Sequence, residues 1–127
     1  MVVGDELSTA AANGRAADVE RLLRAGADAN GLNSFGRTAL QVMMMGSAPV
    51  ARLLLSHGAD PNLADSSTGS TPLHDAARTG FLDTVRLLVE HHADPQARDK
   101  KQRRPVDLAK ENVHESVVAF LENLENL

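Results

Sequence analysis

A chain of 127 residues with a formal net charge of -4 and no cysteine has room for about one domain. Roughly two-thirds of its unfolded surface can be buried, so it is expected to fold alone, and a disulfide scaffold and a thiol nucleophile are both excluded. Net acidity argues against nucleic acid as the principal partner, because phosphate neutralisation needs a basic face, and no stretch approaches the roughly 20 apolar residues of a membrane span.

The apolar residues are mostly Ala, Leu and Val, with three Phe and neither Trp nor Tyr, which favours many small helix contacts over a few aromatic anchors. The first residues, Met1 to Leu7, have no basic region ahead of an apolar run. A soluble, intracellular protein is expected.

In chain order, one layout recurs. Gly36-Arg37-Thr38-Ala39-Leu40-Gln41, Gly69-Ser70-Thr71-Pro72-Leu73-His74 and Gln102-Arg103-Arg104-Pro105-Val106-Asp107 begin at residues 36, 69 and 102, a spacing of 33. The same step back puts Asp5 at the Thr position and Leu7 at the Leu position. Thr71-Pro72-Leu73-His74-x-Ala76 at this period resembles the opening of an ankyrin repeat. The expected fold is therefore all-α, an ankyrin-repeat solenoid of four helix-turn-helix repeats with β-turn fingers. It forms a single domain over 1–127, with repeats at about 3–35, 36–68, 69–101 and 102–127.

Each position has a physical task. Asp5, Thr38 and Thr71 are expected N-caps, and Pro72 and Pro105 suit the first helical position, where a missing N–H is harmless. Leu7, Leu40, Leu73 and Val106 share a face with Ala10, Met43, Ala76 and Ala109. The second helices carry Val19-Leu22-Leu23, Val50-Leu53-Leu54, Val85-Leu88-Val89 and Val117-Phe120-Leu121, one apolar stripe each. Gly26, Gly58 and His92 then stand where a helix end favours a left-handed residue.

The second repeat is out of step. Leu40 to Gly58 is 18 residues, against 19 from Leu7 to Gly26 and from Leu73 to His92. One residue is missing near Met43 to Pro49, which predicts a short or irregular first helix there, with Gly46 and Pro49 resisting its continuation. The fourth repeat also departs: Gln102 replaces a finger glycine, Arg104 replaces Thr, and Asn112-Val113 replaces the turns Asn13-Gly14 and Thr79-Gly80. A positive φ at Gln102 would be strained, which marks this repeat for early fraying. Glu122, Asn123, Glu125 and Asn126 are expected to give its last helix a polar end.

Catalytic and metal chemistry find no support. His57, His74, His91, His92 and His114 come without cysteine and without an i, i+4 pair, and His74 has a ready role bonding the backbone of neighbouring turns. No cofactor or metal is expected. Ser8, Ser47 and Ser70 lie in no nucleophile motif, and a solenoid offers a groove for a protein in place of an enclosed substrate pocket. The basic run Arg98, Lys100, Lys101, Arg103 and Arg104 could attract acidic partners or serve as a nuclear address, and is otherwise a solvated loop.

Phe35-Gly36-Arg37, the run Gln41 to Ala48, His57-Gly58-Ala59, the run His74 to Arg78, the run Gly80 to Thr84, and Pro105 to Ala109 together resemble the small ankyrin inhibitors of the cyclin-D-dependent kinases, in their four-repeat branch. The resemblance spans nearly the whole chain and includes the shortened second repeat. It implies a noncatalytic inhibitor, monomeric when free and found in cytoplasm and nucleus. Such an inhibitor grips cyclin-dependent kinases 4 and 6 near the ATP cleft, on the side away from the cyclin, and twists their lobes. Carried onto this chain, it implies kinase contacts from Met43, Met44, Asp65, Asp75, Arg78, Phe81 and Asp83, with Asp75 pairing a kinase arginine.

The residues alone leave other readings open. Asp75 could be merely solvated, Met43 belongs with the core alanines it aligns with, and Phe81 could brace the turn between helices. Arg78 could tie the third repeat to the second by an ion pair, and Asp83 could cap the helix that follows. A general ankyrin interaction module with an unrelated partner is the alternative function.

Overall fold

A computed structural model of the chain describes residues 3–124. Among these there are eight helices and no strand: α1 (Val3–Ala12), α2 (Ala16–Arg24), α3 (Ala39–Val42), α4 (Ala48–Ser56), α5 (Pro72–Thr79), α6 (Leu82–Glu90), α7 (Pro105–Glu111) and α8 (Glu115–Leu124). They form four consecutive pairs in two rows. The first helices make one row, with α1 against α3 and α5 against α7; the second helices make the other, α2 to α4 to α6 to α8. This is the ankyrin solenoid that the 33-residue layout predicts.

The stripes stack as the spacing requires. Leu7, Leu40, Leu73 and Val106 are buried with Ala10, Met43, Ala76 and Ala109, and Val19, Val50, Val85 and Val117 are buried from the other row. Leu22, Leu53, Val89 and Phe120 pack partly buried at the edge of the same core. Thr38 and Thr71 cap α3 and α5, each accepting the backbone N–H three residues on, and Pro72 and Pro105 open α5 and α7.

Two expected caps are corrected. Asp5 lies inside α1, and its carboxylate accepts the Ser34 N–H at 2.7 Å and hydroxyl at 2.6 Å, so it ties the first helix to the first finger. Asp83 is likewise inside α6, whose N-cap position belongs to Phe81. Left-handed backbone falls at Gly26, Gly58 and His92 (φ 71°), as the helix ends predict. It also falls at Gln102 (φ 64°) and Val113 (φ 59°), both in the glycine-poor fourth repeat. Of the polar terminal residues, Glu122 and Asn123 are exposed, whereas Glu125 and Asn126 lie outside the described residues.

The shortened repeat has the predicted consequence. α3 holds only 4 residues and ends at Met43, whose ψ of 157° turns the chain out of the helix. The α3–α5 pairing is accordingly the weakest in the row of first helices.

Candidate partner-binding face

The fingers are closed by one recurring device. Asn33, Asp65 and Asp99 occupy equivalent positions, and each donates its N–H across the finger, to Arg37 O, Ser70 O and Arg103 O. Each also accepts backbone N–H groups through its side chain. In the third finger, Asp99 pairs with its own Arg103 at 3.0 Å. The second finger has Ser70 at the position of Arg103, so Asp65 takes Arg37 from the preceding finger instead, at 2.7 Å. The hydroxyl and N–H of Ser67, with the Arg37 guanidinium, hold the Asp65 carboxyl well below the usual carboxylate range. Both of its oxygens are engaged, Oδ1 by Ser67 and Oδ2 by Arg37.

Asp75 differs. Its Oδ1 accepts from the Ser70 hydroxyl at 3.0 Å and from Arg78 Nη2 at 3.1 Å, while among the described residues nothing bonds Oδ2. Arg78 therefore pairs within its own helix, and the ion pair from Arg78 to the second repeat is not formed. Arg37, Asp65, Ser70, Asp75 and Arg78 make one continuous polar strip from the fingers onto α5. Asp75 and Arg78 line a groove of about 240 Å³ with Thr68, Ser70, Asp99, Arg103 and Leu108.

In the first three repeats the turn between the two helices is covered from the next repeat. A Cβ added to Gly80 would meet the His114 ring at 2.5 Å, one at Gly46 would meet Phe81 Cε1 and Cζ at 3.1 Å, and one at Gly14 would meet Met44 Sδ at 3.0 Å. His114 also donates from Nε2 to Arg78 O at 3.0 Å. Met44 thus reaches its place because α3 stops early: its N–H donates to Ala11 O at 3.0 Å, and its side chain lies over Gly14 while staying 49% exposed. Phe81 is 45% exposed and rests on Gly46. Bracing and exposure coexist in both side chains.

Thr84 completes this arrangement. Buried on α6, it donates its hydroxyl to Met45 O at 2.6 Å, fixing the irregular segment from the third repeat. Sequence reasoning gave Thr84 no role; its signal is a hydroxyl where Val117 and Val50 neighbours would suggest an apolar residue. Arg37 and Ser70 were likewise given no site role, although their equivalence to Arg103 is readable at the 33-residue spacing.

The seven expected contact residues do not form one cluster. Asp65, Asp75 and Arg78 belong to the polar strip, and Met44 and Phe81 to the row of covered turns. Met43 is buried at 4% exposure and serves the core. Asp83 is exposed in a separate groove between α4 and α6 with Ala48, Arg52 and Arg86. The fingers add exposed apolar residues that sequence reading did not assign, Leu32, Phe35 and Leu63.

Four of the five basic residues of the third finger have internal partners. Arg98 bonds Gln102 O and Lys100 bonds Ser66 O, while Arg103 pairs with Asp99 and Arg104 with Asp107. His74 is also internal: it accepts the Thr71 N–H at Nδ1, which places the proton on Nε2 for donation to Arg103 O at 2.8 Å. Among the described residues no group of three His, Asp or Glu could hold a metal ion, and no helix is long and apolar enough to cross a membrane.

Comparison with known proteins gives the same architecture. Ankyrin repeats, in three copies, match residues 7–99. The chain is 56% identical over 115 residues to human (Homo sapiens) cyclin-dependent kinase 4 inhibitor B, covering 91% of this chain and 83% of the relative. It is 54% identical over 116 residues to the protein of that name from Bos taurus, covering 91% and 88%. Human cyclin-dependent kinase inhibitor 2A is 56% identical over 117 residues, covering 92% of this chain and 75% of the relative. With its repeats, its shortened second repeat and this identity, the chain belongs to the ankyrin-repeat family of cyclin-dependent kinase inhibitors.

Proposed function

We propose that this protein is a noncatalytic inhibitor that binds cyclin-dependent kinases 4 and 6, blocks their cyclin D-dependent activation and restrains G1 progression. Identity at 56% of positions across 91% of the chain to an inhibitor of cyclin-dependent kinase 4 carries the reading. The polar strip and the two half-exposed side chains beside it supply the contacts. Asp75 Oδ2 is open to a kinase arginine, and Arg78, Met44 and Phe81 extend the surface. Asp65 acts by shaping the finger, Met43 by supporting Met44 from the core, and Asp83 extends the surface at a second edge. A monomer working in cytoplasm and nucleus suffices, and inhibition follows if it binds a distorted kinase better than an active one.

Purified kinases 4 and 6, with kinase 2 as control, test this. Binding at 1:1 to the first two alone is expected; failure to bind either sinks the proposal and leaves a general interaction module. Asp75→Asn is expected to preserve helical content and weaken kinase binding by about 1 to 3 kcal/mol, the scale of a charge-assisted hydrogen bond. Unchanged affinity by calorimetry would remove Asp75 from the interface.

A further inference from the structure

Asn30 and Asn62 perform the same task in successive repeats. Asn30 Nδ2 donates to Gly58 O at 2.9 Å while its Oδ1 accepts the Asp60 N–H at 2.7 Å. Asn62 repeats both bonds one unit on, to His92 O at 3.0 Å and from the Asp94 N–H at 2.8 Å. Each amide therefore clamps one repeat to the next through a donor and an acceptor on the same side chain. The two clamps differ in the residue that follows: Gly31 after Asn30, Leu63 after Asn62.

We propose that Asn30–Gly31 is a site of spontaneous deamidation whose product releases the first repeat from the second. The Gly31 backbone nitrogen attacks Asn30 Cγ and forms the new C–N bond of a succinimide. The Cγ–Nδ2 bond breaks, and ammonia leaves carrying the proton from the Gly31 N–H. Water then opens the ring at either carbonyl and leaves aspartate or isoaspartate at position 30. No oxidant or reductant enters. A side chain on the attacking residue obstructs the approach, and glycine has none.

The fold sets when this happens and what it does. The Gly31 N–H bonds Asp28 O at 3.0 Å, and the Asn30 amide is held at both ends, so the reaction waits for the clamp to open. The first repeat lacks one tie that the second and third possess. Ser8 stands where Gln41 and His74 reach a carbonyl of the next finger, and its buried Oγ has no partner. After conversion, an acceptor-only carboxylate faces the Gly58 carbonyl, so the donor half of the clamp cannot reform. Asn13–Gly14 shares the dipeptide, but its amide bonds Thr9 O in its own repeat, so conversion there removes no side-chain hydrogen bond to the second repeat.

The test is peptide mapping with fragmentation after incubating the full chain at mildly alkaline pH and body temperature. Position 30 is expected to gain the amide-to-acid mass change many times faster than Asn62, and Gly31→Ala to suppress it. A Cβ at Gly31 would meet Asp28 O at 3.2 Å, a contact relieved by a small shift of the turn, and the equivalent positions carry Leu63 and Ala97. Asn30→Asp is expected to raise amide exchange in α1 and α2 roughly fivefold or more, as the loss of one net hydrogen bond would imply, while α5 and α6 stay protected. Conversion at position 30 no faster than at Asn62, or unchanged exchange in α1 and α2 of Asn30→Asp, would overturn the proposal.

Discussion

Val113 is a β-branched residue held at φ 59° and 73% exposed, at the turn where the earlier repeats have Gly14, Gly46 and Gly80. Left-handed backbone at such a residue stores about 1 to 3 kcal/mol of strain, whereas replacing it with glycine loosens the unfolded chain by about 0.4 to 1 kcal/mol. The first effect is the larger, and no side chain of a following repeat lies over this turn among the described residues. Val113→Gly is therefore expected to stabilise the protein by about 1 kcal/mol, seen as a higher urea midpoint at constant m. A lower midpoint would mean that Val113 makes apolar contacts worth more than its strain. At this scale the sequence revealed the missing glycine, and the alignment of Asn112-Val113 with Asn13-Gly14 and Thr79-Gly80 put Val113 in its place. The sequence could not separate Asp65 from Asp75, because their difference lies in partners brought from other parts of the chain.

The four-residue α3 is stable only because its neighbours complete it. Alone it is far below the length at which a helix persists in water. Ala11 O takes the Met44 N–H, Ser47 accepts the Val50 N–H, Phe81 covers Gly46, and Thr84 bonds Met45 O. Thr84→Val keeps the shape but leaves the Met45 carbonyl without its donor, a loss of about 1 to 3 kcal/mol. Faster amide exchange is expected across residues 43–47, along with weaker kinase binding than an equally destabilising change in α8 produces. Equal binding by the two variants would show that the segment's order is irrelevant to the partner. The shortened helix itself was legible as a one-residue deficit against a fixed period. Its compensations were not, since Met44 on Gly14 and Thr84 on Met45 are contacts between repeats, and periodicity describes one repeat at a time.

Over the whole molecule, the solenoid is coupled through its fingers as much as through its core. Asp5 joins α1 to the first finger, Asp65 joins two fingers through Arg37, and the Lys100 N–H reaches Thr68 O at 3.0 Å. Asp99 and Asp107 do the same work locally: burial pushes both carboxyls up, but the backbone N–H groups and guanidinium of Arg103 or Arg104, with the Lys101 N–H at Asp99, outweigh it and hold them below the usual range. All these folded-state values lie beneath the ordinary 3.8 of an aspartate. A carboxyl whose pKa is depressed on folding adds stability that is complete above the unfolded value and lost as pH falls towards the folded one. The melting temperature is therefore expected to gain nothing from these groups between about pH 5 and 7, and to drop steeply below about pH 4. Asp65→Asn should melt lower than the parent at neutral pH yet lose less on acidification, because its share of the linkage has been removed. A parent melting temperature unchanged down to about pH 3 would show that the finger carboxylates do not couple the repeats.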